Sequence, residues 1–183
     1  VDVQNDFCPG GALAVREADQ VVPRINALGR RFRRTAATQD WHPAGHASFA
    51  SSHPGREPFE LVRLGDLDQT LWPDHCVAGS PGARFHPDLD TRGFQLILRK
   101  GFRPELDSYS AFFENDRRTA TGLAGYLTGL GVEQVYLAGI ATDYCVYYSA
   151  IDALRLGFAV HVVVDACRGI DLPPGSLQER LRE

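Results

Sequence analysis

Cys145 heads the residues that could do chemistry. It lies in Val135-Tyr-Leu-Ala-Gly-Ile-Ala-Thr-Asp-Tyr-Cys-Val-Tyr-Tyr-Ser-Ala-Ile-Asp-Ala-Leu154, which reads as a buried strand, a sharp turn and a helix. Thr142 and Asp143 are good N-cap residues, so Cys145 falls in the first helical turn. The helix should run to about Leu156, with Gly157 as its stop. A thiol there faces unpaired backbone N–H groups at the positive end of the helix dipole, which lowers its pKa. The same N–H groups could stabilise an oxyanion. A lone cysteine is more often plain packing, so this reading needs partners.

Asp2 and Lys100 supply them. Cys145 would be the nucleophile, and Asp2 the general base that takes its proton and later gives it to a leaving amine. Lys100 would hold both by charge. A second cluster is Asp40-Trp-His42, followed by His46 and by His75 in Trp72-Pro-Asp-His-Cys76. Along a strand, period two puts Asp40 and His42 on one side and Trp41 on the other. One carboxylate and two imidazoles with open positions suit a divalent metal, Zn²⁺ first, with Fe²⁺ or Mn²⁺ as alternatives. His46 is a possible further ligand, and Cys76 a weaker candidate. His53, His86 and His161 have no spacing partner. Cys8 and Cys167 read as structural.

The elements must bring these residues together. Strands are expected at Val1–Val3, Thr35–Gln39, Phe94–Arg99, Val135–Ala138 and Ala159–Val164, apolar on both faces. Helices are expected at Asp19–Phe32, Thr121–Leu130, the Cys145 segment, and from Pro174 through Ser176–Leu181. Residues 40–92 read as one long functional loop. Alternating strands and helices point to an α/β fold, doubly wound, with a mainly parallel sheet and helices on both faces. Ligands bind such sheets beyond the carboxyl ends of the strands. Asp2, Asp40, Lys100 and the turn before Cys145 all end strands, on that one edge.

Composition adds limits. The chain has 183 residues, 44% hydrophobic and 23% charged, which fits one domain over 1–183. Its net charge of −4 argues against nucleic-acid binding. Arg30, Arg31, Arg33 and Arg34 read as cations at a helix C-terminus. No apolar run could span a membrane, and the four scattered cysteines suit a reduced, cytoplasmic setting. Val1-Asp2-Val3 is short for a strand, so residues before Val1 are expected.

Five motifs then carry a resemblance: Asp2-Val-Gln-Asn-Asp-Phe7, Asp40-Trp-His42, Trp72-Pro-Asp-His-Cys-Val77, Lys100-Gly-Phe-Arg-Pro-Glu-Leu-Asp-Ser-Tyr-Ser110 and Gly139-Ile-Ala-Thr-Asp-Tyr-Cys-Val146. Together they resemble the nicotinamidase/pyrazinamidase group of the isochorismatase-like cysteine hydrolases. The resemblance implies an Asp2–Lys100–Cys145 triad and a metal on Asp40, His42 and His75. It implies a cis peptide at Ile140-Ala141 and an oxyanion hole from the N–H groups of Ala141 and Cys145. Phe7 and Trp72 would sandwich the substrate ring, with Tyr109 and Tyr144 near. The implied reaction is nicotinamide plus water to nicotinate plus ammonia through a thioester, in NAD salvage, with pyrazinamide as surrogate. A last strand after the final helix is also implied. The alternatives are a metal-free carbamoyl or ureido amidohydrolase of the same family and a non-catalytic metal-binding module. Oligomeric state is not legible.

Overall fold

Two parallel strand pairs carry the site. The computed structural model describes residues 1–183. Strand β1 (Ala36–Asp40) pairs with β4 (Leu96–Lys100), in register from Ala36–Leu96 to Asp40–Lys100. Strand β5 (Gln134–Ile140) pairs with β6 (Ala159–Arg168). Residues 1–4 join the pairs. The Val1 backbone nitrogen donates to the Ala138 carbonyl at 2.7 Å, and Ile140 N–H donates to the Val1 carbonyl. On the other side Gln4 exchanges side-chain hydrogen bonds with the Asp40 backbone, at 2.8 Å each. Asp2, Asp40, Lys100 and Ile140 therefore end side by side, as a mainly parallel α/β arrangement requires.

Helices α1 (Val21–Gly29) and α3 (Tyr147–Arg155) pack against β6. Helix α2 (Leu123–Gly129) closes a small core with Ala111, Phe112, Ala153 and Phe158. The main core gathers Val3, Phe7, Leu13, Val21, Trp72 and Ile140, so it lies directly under the site. Helix α4 (Ser176–Arg180) follows β6. No helix is long and apolar enough to cross a membrane.

Several expectations change. Residues 40–92 are not one unstructured loop: β2 (Leu61–Leu64) and β3 (Leu67–Thr70) form an antiparallel hairpin. Its two-residue turn is Gly65-Asp66, with Gly65 at φ +58°, a signal the sequence carries. Helix α1 is shorter than Asp19–Phe32. A 3₁₀ turn at Ala18–Gln20 precedes it and Arg30 caps it, so the arginine run lies mostly beyond the helix. The strands are not apolar-buried on both faces, since Tyr136 and Val164 stay 46% and 49% exposed. Tyr136 is instead covered in part by stacking on His161, at 4.4 Å between ring centroids.

Gly139 marks where β5 can approach the start of the chain. Its φ is +130°, and a Cβ there would lie 2.0 Å from the Val1 carbonyl oxygen. Gly139→Ala should therefore destabilise the protein by about 2–3 kcal/mol or more, from strain and steric conflict together. Gly93→Ala, where a Cβ meets nothing within 4 Å, is the control. Urea unfolding of both variants checks this, and equal midpoints would contradict it.

Candidate active site

The Lys100 side chain is fully buried and its ammonium is the hub of the site. Its Nζ lies 2.9 Å from Asp2 Oδ2, 2.5 Å from Asp40 Oδ1, 2.9 Å from the Ser108 carbonyl and 3.4 Å from Cys145 Sγ. Burial works against its charge, but Asp2 and Asp40 outweigh that and hold the ammonium well above its ordinary pKa. Asp2 is 1% exposed, with φ +45°. Its Oδ1 accepts a hydrogen bond from Thr38 Oγ1 at 2.5 Å. Its Oδ2 touches Lys100 as an ion contact but accepts no directed hydrogen bond. Asp2, Asp40 and Cys145 offer ligand-type atoms within 4.8 Å of one another, so a free carboxylate oxygen is poised near the thiol.

The helix before Cys145 differs from expectation. Thr142–Val146 is a π-turn, and α3 starts only at Tyr147. Neither Thr142 nor Asp143 caps it. The Asp143 carboxylate instead accepts from the N–H groups of Ile170 and Asp171 and from Ser176 Oγ, tying a distant loop behind the turn. The thiol is also not lowered in pKa. Burial pushes it well above its usual range, Lys100 opposes that, and Asp2 and Asp40 add to it. A dipole argument from sequence could not see this burial. The thiol, not the thiolate, is thus the form that burial favours at Cys145. The Ile140-Ala141 peptide is cis, as the resemblance implies, and the Ala141 N–H has no protein acceptor.

Beside Lys100 sits the second cluster. Asp40 and His42 point to one side, and Trp41 points to the other, under the Arg99 guanidinium at 3.7 Å. The segment after His75 lies parallel to His42: His42 N–H donates to the Cys76 carbonyl and Ala78 N–H to the His42 carbonyl. Asp40 Oδ2 is 3.9 Å from Nε2 of both His42 and His75. Each Nδ1 is taken by a backbone carbonyl, Gly101 for His42 and Pro73 for His75, both at 2.8 Å. Those bonds fix the tautomer with the Nε2 lone pair turned inward, which is what a metal ligand needs. Burial first, then His42, pushes the His75 imidazole pKa down and keeps it neutral. His46 has its Nδ1 on Ser48 Oγ at 2.7 Å, while its buried Nε2 has no partner. These donors fit a divalent metal held by Asp40, His42 and His75, with His46 facing the same space.

The remaining predicted residues line the approach. Phe7 packs against His75, with centroids 5.5 Å apart. Trp72 stands edge-on to Tyr144 at 5.0 Å and to Tyr109 at 6.3 Å, and its indole N–H donates to the Tyr109 hydroxyl. Phe7 and Trp72 make no ring contact with each other. Cys76 is no ligand candidate in the structure: it lies at φ +46°, its N–H is held by Asp6 Oδ2, and burial pushes its thiol up. Cys8 and Cys167 are buried and free. His53 bonds the Ala47 carbonyl, and His86 and His161 stand apart from the cluster. Sequence reasoning missed Asp107 and Gln69. Asp107 sits with His42 and His46, its ligand-type atoms within 4.8 Å of theirs. Gln69 Nε2 donates to Asp107 Oδ2 and to the Tyr109 hydroxyl. Gln69 lay in the unassigned loop, and Asp107 lay inside a quoted motif without a spacing partner.

The isochorismatase domain profile matches residues 1–174. A nicotinamidase of Acinetobacter baylyi is 55% identical over 183 residues, covering 100% of this chain and 85% of that protein. The solved nicotinamidase and pyrazinamidase of Acinetobacter baumanii superposes with a TM-score of 0.97 at 53% identity, covering 99% of this chain and 87% of that one. A pyrazinamidase of Pyrococcus horikoshii in complex with zinc gives 0.79 at 38% identity, covering 99% and 89%. A buried Cys–Lys–Asp cluster at the carboxyl edge of a parallel sheet, found in a chain matched over this length, places the protein in the isochorismatase family.

Proposed function

We propose that this chain, acting as a single hydrolase domain, hydrolyses nicotinamide to nicotinate and ammonia, and pyrazinamide likewise, as a step of NAD salvage. The observation that carries the reading is Lys100 Nζ, which touches Asp2, Asp40 and Cys145 at once. One ammonium thus joins the nucleophile, its base and a metal-ligand carboxylate. The likeness to the Acinetobacter nicotinamidases supports the substrate. The four free thiols fit a reducing compartment, and we assign the chain to the cytoplasm.

Asp2 takes the Cys145 proton as Sγ attacks the carboxamide carbon. The Ala141 N–H, joined by that of Cys145, receives the developing oxyanion. Asp2 then protonates the departing ammonia, leaving a thioester on Cys145. Water, deprotonated by Asp2, releases nicotinate and restores the thiol. Lys100 holds Asp2 in place while the proton moves on and off it. Phe7 and Trp72, with Tyr109 and Tyr144, shape an aromatic slot for a flat ring. Asp40, His42 and His75 would hold one divalent ion, which we assign as Zn²⁺ on its nitrogen and oxygen donors and on the zinc-bound relative. When bound, that ion supplies an open Lewis-acid position suited to a ring nitrogen. A ureido hydrolase without metal would have no use for three inward-facing ligands of this kind.

Three outcomes are expected. Cys145→Ala should abolish ammonia release while metal content and the circular dichroism spectrum stay unchanged, and Asp2→Asn should lose about 10²-fold or more. Residual amidase activity in Cys145→Ala would refute covalent catalysis. Iodoacetamide should label Cys145 slowly at neutral pH and faster as pH rises, because its pKa is raised. Lys100→Ala should move that profile further to alkaline pH, since Lys100 is the group that lowers it. An identical profile would remove Lys100 from the tuning of the thiol. His42→Ala should lose metal and nicotinamide turnover yet leave Cys145 alkylation near the wild-type rate. Benzamide, lacking the ring nitrogen, should be a poor substrate and little affected by the same change. Equal efficiency on benzamide and nicotinamide in the wild type would exclude an orienting role for the metal.

A further inference from the structure

The metal cluster has a charged neighbour that the mechanism does not use. Asp107 is 6% exposed. Its Oδ1 accepts the Ser108 N–H at 2.8 Å and its Oδ2 accepts from Gln69 Nε2 at 2.9 Å. Both bonds come from uncharged donors, so neither neutralises it. A carboxylate oxygen of Asp107 and ring nitrogens of His42 and His46 lie within 4.8 Å of one another. The His46 Nε2 in this group is buried and unpartnered.

Charge counting makes this placement significant. Lys100 contributes one positive charge, and Asp2 and Asp40 one negative charge each, so the triad and its neighbour sum to −1. A divalent ion on Asp40 and two imidazoles, which ligate through a lone pair and carry no charge, brings the total to +1. An uncompensated charge is costly in a site closed to water. Asp107 is the further carboxylate that reaches the histidines, and it brings the total to zero.

We propose that Asp107 is a positioning residue of the metal centre: its carboxylate supplies the balancing charge beside His42 and His46 that lets this buried site retain a divalent ion. The inference rests on the metal reading given above. Both Asp107 oxygens are engaged by neighbours, Oδ1 by the Ser108 N–H and Oδ2 by Gln69 Nε2, so its role would be to balance charge beside the histidines. Gln69 also reaches the Tyr109 hydroxyl, and Tyr109 receives the Trp72 indole N–H, so the same carboxylate braces the ring slot. A purely structural Asp107 would only anchor the Ser108 N–H and Gln69 Nε2, with no bearing on how tightly a divalent ion is held.

The test is Zn²⁺ affinity of the whole chain, measured by competition with a chromophoric chelator after metal removal. Wild type should bind one Zn²⁺ per chain. Asp107→Asn, nearly the same shape without the charge, should keep that stoichiometry with affinity about 10-fold or more lower, the range for outer-shell changes. Asp107→Ser fits any space and keeps an acceptor for Ser108, so it should show the same loss if the asparagine variant does not fold. Folding is judged by circular dichroism and by unchanged Cys145 alkylation. Wild-type Zn²⁺ affinity in whichever variant folds would overturn the role of Asp107 while leaving the metal reading intact. Failure of the wild type itself to bind Zn²⁺ would overturn the metal reading and this inference with it.

Discussion

The structure depends on one buried ammonium. Lys100 has no contact with solvent, and moving such a charge out of water costs several kcal/mol even after relaxation. Asp2, Asp40 and the Ser108 carbonyl offset that cost, and each comes from a different part of the chain. β4 delivers Lys100, β1 delivers Asp40 directly opposite it, and residues 1–4 deliver Asp2 by bridging β1 to β5. Losing one carboxylate would leave a charge unpaired in a low-dielectric interior. The fold is thus held to a single relative placement of its strands, and that placement is the one the chemistry uses.

Asp40 makes the same argument for the metal cluster. One of its oxygens faces Lys100, and the other faces the Nε2 atoms of His42 and His75. One carboxylate thus touches both the Lys100 hub and the histidine pair. The backbone completes it: the carbonyls of Gly101 and Pro73 take the outer ring nitrogens, which leaves the inner ones as lone pairs. Gly101 is required for close approach as well as for its φ of +64°, since a Cβ there would lie 2.4 Å from His42 Cε1. The raised Cys145 pKa follows from the same burial that makes Lys100 effective. Beside that thiol, Asp2 Oδ2 is buried and accepts no hydrogen bond.

The sequence by itself determined the α/β alternation, the strand ends that carry Asp40 and Lys100, and the Asp40-x-His42 pattern. These are local: strand periodicity fixes which side chains share a face, and glycine fixes where a strand can stop. Asp2, expected at a strand end, lies outside any strand. Tertiary structure decided what depends on burial and on distance in space. It turned the expected N-cap at Thr142 and Asp143 into a π-turn, because the Asp143 carboxylate is taken by the Ile170–Ser176 loop. It reversed the expected direction of the Cys145 pKa, because desolvation outweighs the pull of Lys100 on the thiol. It brought Asp107, 65 positions from His42 in the chain, beside His42 and His46. No periodicity in a chain encodes the dielectric around a side chain or a neighbour supplied by another loop, and those two quantities set the chemistry of this site.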